Sequence, residues 1–418
     1  MIVVTGSELV RGERTDLNGP FLARSLLALG LEPARIEIVG DDPAELEDAV
    51  RAAVASAELV ACSGGLGPTH DDRTVEVVAR VAGRPLQVDT ALEAQIEAVS
   101  RMAAERMKRP YADFAQGVTK QATVPEDADV LGLAGTAPGL VVDVEGTPVI
   151  VLPGPPPALQ RLWPKALETK GVRRVLDRGE PPIRRTLRLF GPGESQVAQA
   201  FEQAGGDGDG LEVTICARNF EVHVDLVAEP SAEARLLEFT AALEERLGRF
   251  LYSTDGRTVE ELVLDRCRER GWTLATAESC TGGLVAAGLT AIPGSSDVVV
   301  GGIVSYANEI KIRELGVPGE LIEEHGAVSA EVAEAMAHGV RERLGVEVGL
   351  SVTGVAGPGG GTEEKPVGLV YAHAETPEES RGSSFSFPGD RDSIRRRSVV
   401  AGLHLVRRML EQNGDDSV

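Results

Sequence analysis

Near-continuous apolar runs alternate with amphipathic helical stretches at the start of this chain: MIVVTG, LNGPFLARSLLALGL, ARIEIVG, DDPAELEDAVRAAVAS and ELVACSGG. That order reads as βαβαβ. A strand that is apolar at every position has no polar face to offer water, so it is covered on both sides, and helical connections between such strands make the sheet parallel. Ligands then meet the sheet at the carboxyl ends of its strands. The same grammar returns after about residue 254, where the helix TVEELVLDRCRERG leads into TLATAES, VVVGGIVSY, VGLSVTGVAG and GLVYAHAE, and the helix DSIRRRSVVAGLHLVRRMLEQ closes the chain. Between them the pattern changes. Two strand-like runs, IRRTLRLFG and EVTICARNFEVHVDLVAE, are flanked by the helices around GESQVAQAFEQA and SAEARLLEFTAALEERLG, with Gly205 to Gly210 as a loop. The expected fold class is α/β: two three-layer α/β domains with mainly parallel sheets, residues 1–170 and 254–418, joined by a small α+β module, 171–253. A chain of 418 residues is long enough for three such cores.

Composition narrows the classes of function. A hydrophobic fraction of 42% and a charged fraction of 26% are those of packed domains. No apolar run approaches the roughly 18 residues a membrane span needs, and the first residues lack the basic-then-apolar pattern of a signal peptide, so a soluble cytoplasmic protein with no membrane partner is expected. Cys62, Cys216, Cys267 and Cys280 form no CxxC pair, which argues for reduced thiols over a disulfide framework or a zinc site. A net charge of -23 repels polyanions, so no nucleic-acid partner is expected. Of 42 basic residues only six are lysines; Lys108, Lys165 and Lys170 fall in no readable motif. A homodimer is expected as the commonest assembly, and the acidic tail Gly414 to Val418 is expected to fray.

In TLATAESCTGGLVAAGL the pattern is a strand, a turn at Glu278 to Thr281, and a helix opening at Gly282. Such a turn aims backbone N–H groups at whatever docks there, which suits an anion or an oxyanion. Ser279 is read either as a nucleophile or as a helix N-cap. VVVGGIVSYANEIKIRELGV sets Tyr306 at a strand end and Lys311 in the first turns of the next helix. Lys311 is either a base for Ser279, if burial lowers its pKa, or a solvated lysine; Tyr306 is either a participant or a half-buried strand residue. The loop TGVAGPGGGTEEKPVG holds too many glycines for a casual turn. Gly357, Gly359 and Gly360 suit a phosphate cradle, with Lys365 adding charge and Thr353 a hydroxyl. Arg391 opens the last helix within reach of an anion, while Arg395 to Arg397 read as a solvated face with one arginine turned inward. Cys280 is the rival nucleophile, discounted because neighbours in extended chain face opposite ways.

Toward the amino terminus, TGSELVRG, GDD, CSGGLGPTHDDRT and LPGPPP gather glycines and polar residues at strand ends. Glu8, Gly64, Gly65, Thr69, Lys120 and Gly154 are the expected nucleotide site. Asp41, Asp71 and Asp72 are candidate ligands for a divalent metal ion, against the alternative of an acidic solvated loop.

AESCTGG, SYANEIK, ELGV, HGAVS, TGVAGPGGGTEEKPVG and GDRDSIRRRS together resemble the carboxy-terminal domain of the CinA family, whose members are nicotinamide-mononucleotide amidohydrolases. The resemblance implies hydrolysis of the carboxamide of nicotinamide mononucleotide to nicotinic acid mononucleotide and ammonia. Ser279 is then the nucleophile, Tyr306 and Lys311 assist, and no cofactor is required. Thr353 and Arg391 would contact substrate beside Cys280, Thr281 and Gly282, whose backbone region would supply oxyanion donors. Residues 1–170 resemble the molybdopterin-binding fold of the MoaB and MogA proteins in the version that opens CinA. That version implies metal-dependent hydrolysis of ADP-ribose, and Lys120, Gln121 and GTAPG fit it. Three positions depart: Val118 or a neighbour, Gly132 and Ala158 stand where two asparagines and a glutamate belong, which weakens the pyrophosphatase expectation. The middle module resembles KH-like domains. A nucleic-acid-associated or competence protein and a molybdopterin-binding protein are the competing readings; against the first, the GGDGDG loop is acidic rather than a basic GxxG.

Overall fold

A computed structural model describes residues 1–411; the tail read as frayed lies outside the described residues. The chain divides into two compact units, Met1–Pro182 and Ile183–Val418. Residues 171–182, read above with the middle module, belong to the first. Among the described residues no helix is long and apolar enough to cross a membrane.

The first unit is built on a six-stranded sheet in the order Ile36–Val39, Ile2–Thr5, Val60–Ser63, Thr147–Leu152, Ala137–Val144, Asp129–Ala134. The first four strands run parallel and the last two antiparallel. All four residues of Ile2–Thr5 are buried because they serve two cores: Ile2 and Val4 pack on one face with Leu22 and Leu162, Val3 on the other with Val78 and Ile96. Each such side chain contributes about 1.5–3 kcal/mol by leaving water. The hairpin Asp129–Ala134/Ala137–Val144 was not foreseen. Its strands carry Gly132, Pro138 and Gly139, residues that read as breakers, and the ladder shifts register between Val130 and Gly132, where φ is +91°.

The second unit holds two sheets. The run EVTICARNFEVHVDLVAE folds back on itself as Leu211–Arg218 and Glu221–Ala228, turning at Asn219 and Phe220, both at positive φ. With Ile183–Phe190 and Leu251–Ser253 it makes a four-stranded antiparallel sheet covered by the helices Glu194–Gln203 and Glu233–Leu247. The larger sheet runs Val299–Val304, Leu274–Glu278, Val348–Gly354, Leu369–Glu375, Ser380–Ser386. Its first three strands are parallel, the last two antiparallel. Helices Val259–Arg270 and Arg391–Glu411 cover one face and Ala330–Leu344 the other. The architecture is α/β as expected, but both large sheets are mixed.

The four-stranded sheet and the helix Arg391–Glu411 share a buried polar contact. Glu221 accepts from Tyr252 Oη at 2.6 Å and from His404 Nε2 at 2.8 Å, while Arg407 Nε donates to His404 Nδ1 at 3.1 Å and Phe190 stacks on the imidazole. Burial pushes His404 down to about 4, so the ring is neutral and its one proton sits on Nε2.

Candidate functional site

Three parallel strands of the larger sheet end side by side at Glu278, Val304 and Gly354. After Glu278 the chain turns through Ser279 to Gly282, and the helix starts at Leu284 with Gly283, at φ +96°, as its N-cap. The helix therefore opens two residues later than expected, and Ser279 is not its cap. Glu278 takes that role from inside. Its carboxylate, 1% exposed, accepts the N–H groups of Gly283 (2.8 Å), Val285 (3.0 Å) and Ala286 (2.8 Å), and the Thr276 hydroxyl at 3.3 Å. Ser279 donates its N–H to Val352 O and leaves its side chain partly exposed.

Lys311 is not solvated. It is 1% exposed, and its Nζ lies 3.1 Å from Ser279 Oγ, 2.6 Å from Ser305 O and 3.4 Å from Tyr306 O. Burial lowers its pKa below the ordinary lysine value. A Cys280 thiolate would oppose that shift, but the Cys280 thiol is itself buried and pushed up to about 12, so at neutral pH it carries no charge. The same burial makes Cys280 a poor nucleophile, since the thiolate is the reactive form. Thr281 is fully buried and its hydroxyl has no partner, as is the Ser305 hydroxyl. Gly282 N–H closes onto Ser279 O, whereas among the described residues the N–H groups of Cys280 and Thr281 meet no oxygen, only the weakly accepting Cys280 thiol.

The remaining expected residues are placed as follows. Tyr306 is 62% exposed and contributes its carbonyl to Lys311, while its hydroxyl accepts from Arg391 Nη2 at 3.1 Å. Arg391 also donates to Gly357 O at 2.8 Å, tying the glycine loop to the last helix. Gly357 needs its glycine, because φ is +74° and a Cβ would lie 2.6 Å from Val367; at Gly359 and Gly360 a Cβ would meet nothing, which leaves that stretch open to a ligand. Two expected ligand groups already hold bonds within the protein. Thr353 is fully buried and donates to Ala327 O at 2.8 Å, and Lys365 donates to His325 O, capping the helix Gly319–His325, so both groups already have partners in the protein. Arg395 is the one arginine turned inward: Nε donates to Cys280 O at 3.1 Å and Nη2 to Thr281 O at 2.7 Å. Neither the partners of Arg395 nor the capping role of Glu278 was foreseen, because those partners are backbone atoms with no sequence signature.

In the first unit, Glu8, Gly64, Gly65, Gly154, Asp41, Asp71 and Asp72 line one cavity of about 790 Å³. Thr69 and Lys120 do not; Lys120 borders an adjoining space of 140 Å³, and it donates to Thr69 O. Asn18, unforeseen, is 6% exposed and donates to Ser63 Oγ at 2.9 Å and to Gly154 O at 2.6 Å, bracing the cavity floor across the sheet. The carboxylates do not assemble as a metal site. Both oxygens of Asp41 are engaged by Thr5 Oγ1 and Ser7 N, Asp72 holds the Thr69 N–H and hydroxyl, and among the described residues no three His, Cys, Asp or Glu side chains are placed to hold a metal ion.

Comparison with known proteins follows the same division. Family models match residues 1–170 ("Probable molybdopterin binding domain"), 184–253 ("Damage-inducible protein CinA KH domain") and 256–410 ("CinA C-terminal domain"). A CinA-like protein of Mycolicibacterium paratuberculosis is 43% identical over 98% of this chain and 98% of its own length. The chain belongs to the CinA-like family. Another CinA-like protein, from Mycobacterium leprae, is 43% identical over 100% of this chain and 98% of its own. A solved structure, competence/damage inducible protein CihA from Agrobacterium tumefaciens, is 40% identical and covers 37% of this chain and 96% of that one, with a TM-score of 0.36.

Proposed function

We propose that the second unit hydrolyses the carboxamide of nicotinamide mononucleotide, releasing ammonia and nicotinic acid mononucleotide through Ser279 as nucleophile. The observation that carries this reading is Lys311 Nζ at 3.1 Å from Ser279 Oγ, on a lysine that is 1% exposed. A neutral amine has two N–H donors and one lone pair. The carbonyls of Ser305 and Tyr306 can only accept, so they take the two donors and leave the lone pair for the Ser279 hydroxyl. An ammonium would profit from the same carbonyls, but its burial costs several kcal/mol, and burial shifts the lysine toward the neutral form.

In that arrangement Ser279 Oγ attacks the carboxamide carbon while its proton passes to Lys311 Nζ. The tetrahedral intermediate places its negative charge on the former carbonyl oxygen. Collapse breaks the C–N bond, Lys311 returns the proton to the leaving nitrogen, and ammonia departs. Water then attacks the ester, giving a proton to Lys311; the bond to Ser279 Oγ breaks, Lys311 returns the proton to Oγ, and nicotinic acid mononucleotide leaves. Base and nucleophile both come from the chain, so turnover is expected without a metal or cofactor.

The test is ammonia release from nicotinamide mononucleotide in EDTA by the intact chain, Ser279→Ala and Cys280→Ala. Activity that persists in EDTA and in Cys280→Ala but disappears in Ser279→Ala supports the reading. No ammonia from the intact chain removes it. For the first unit, a cavity of 790 Å³ is within the roughly 300–1,000 Å³ of small-molecule sites, which supports binding of a nucleotide or pterin.

A further inference from the structure

We propose that Arg395 is a positioning residue for the Ser279 turn: it fixes the peptide units after the nucleophile so that the Thr281 N–H remains available to the developing oxyanion. The inference rests on the amidohydrolase reading and deepens it. Arg395 holds two consecutive carbonyls, Cys280 O and Thr281 O, with one planar group. In a trans peptide the N–H of the next residue points opposite to the carbonyl, so the N–H groups of Thr281 and Gly282 are directed away from the guanidinium. Gly282 N–H is used to close the turn on Ser279 O at 3.2 Å, and Gly283 N–H is taken by Glu278. An N–H that already has a protein oxygen cannot add stabilisation to an oxyanion. Among the described residues, Cys280 and Thr281 are the two positions from Ser279 to Gly283 whose N–H lacks an oxygen acceptor, and it is the Thr281 peptide whose orientation Arg395 sets.

The chemistry asks for arginine. A guanidinium offers its donors in a rigid fork, whereas a lysine is a point charge on a flexible stem and cannot hold both carbonyls in one geometry. The site leaves room for it: a Cβ on Gly282, which sits at φ +61°, would lie 3.3 Å from Arg395 Nη2. The adjacent Arg396 serves as the contrast, since it pairs with exposed Asp392 on its own helix and touches nothing in the turn.

The experiment compares kcat and KM for nicotinamide mononucleotide in the full chain, Arg395→Gln, Arg395→Lys and the control Arg396→Gln, with melting temperatures alongside. Because an ångström of misplacement can cost about 100-fold, kcat should fall about 10- to 100-fold in Arg395→Gln with KM within about twofold, partly recover in Arg395→Lys, and stay at the parent value in Arg396→Gln. The rising limb of the pH profile, set by Lys311, should not move. A kcat within about twofold of the parent in Arg395→Gln overturns the proposal, as does a loss expressed in KM alone. If Arg395→Gln melts far below the parent, Arg395→Lys carries the comparison. A second reading needs no substrate: labelling of Ser279 by a fluorophosphonate, whose phosphoryl oxygen calls on the same donors. It should slow about tenfold in Arg395→Gln and be unchanged in Arg396→Gln, and equal rates overturn the proposal. Arg395-dependent labelling without ammonia release from the parent would sink the nicotinamide mononucleotide reading and leave this one standing.

Discussion

At the carboxyl end of Leu274–Glu278 the chain turns around a buried carboxylate, and at the carboxyl end of Val60–Ser63 it turns through Gly64 and Gly65 into a wide cavity. Both are glycine-rich exits from a parallel strand. The first is a set of short contacts in which Glu278, Lys311 and Arg395 are each tied to backbone atoms and Ser279 stays partly open. The second is roomy, and its carboxylates hold loops together. Reaction at a poor nucleophile needs groups whose pKa and direction are set beforehand by burial; binding needs shape and a few fixed polar contacts. The contrast is why the proposed amide hydrolysis is assigned to the first exit and ligand binding to the second.

The contrast breaks most directly at Ser279. Ser279→Ala should lower ammonia release by about four orders of magnitude or more, as removal of a serine nucleophile does elsewhere; a rate within tenfold of the parent would place the chemistry in the other exit. Lys311→Met should cost about 10²- to 10⁴-fold, the usual share of a general base. Because the base works deprotonated and burial lowers its pKa from 10.5, kcat/KM should rise with pH along a limb centred below the ordinary lysine range. A limb at or above 10.5 would contradict the buried dyad.

Smaller effects concern stability. His404→Ala removes one of the buried donors to Glu221 where the last helix meets the four-stranded sheet, and should cost about 1–3 kcal/mol in urea unfolding. The parent's second unit should also weaken in acid. The His404 pKa is lowered by burial to about 4, so between its ordinary 6.5 and about 4 the unfolded chain binds the proton the folded one refuses. Flat stability across that window would remove the neutral-imidazole assignment. Asn18→Ala should destabilise the first unit by about 1–3 kcal/mol, because Ser63 and Gly154 lose a buried partner, while leaving ammonia release at the parent rate. The smallest effect is expected at Cys280. With its thiol pushed up to about 12, Cys280→Ala should change the rate by no more than about twofold, and iodoacetamide at neutral pH should not inactivate.

How far each exit could be read from residues alone differs in the same way. The βαβ grammar was visible because doubly covered strands are apolar throughout, and the SYANEIK motif after a strand singled out Lys311. The hairpin from Asp129 to Val144 and the strand Ser380–Ser386 were missed: one carries glycine and proline inside the ladder, the other is an alternating, mostly polar edge with no continuous apolar run. The distinction between a solvated and a buried Lys311 was not in the motif either, since its surroundings come from Ser279, 32 residues away.

The sequence by itself determined the α/β layering, the glycine-rich strand ends and the residue types at the Ser279 turn, because local periodicity and backbone freedom are written residue by residue. Only the tertiary structure decided which groups already have partners. Thr353, Lys365 and Asp41 read as candidate ligand groups and are bonded within the protein, whereas Arg395 and Asn18 reach backbone carbonyls 114 and 136 residues away. A backbone carbonyl looks the same at every position in a sequence. Which one a side chain meets is settled by packing.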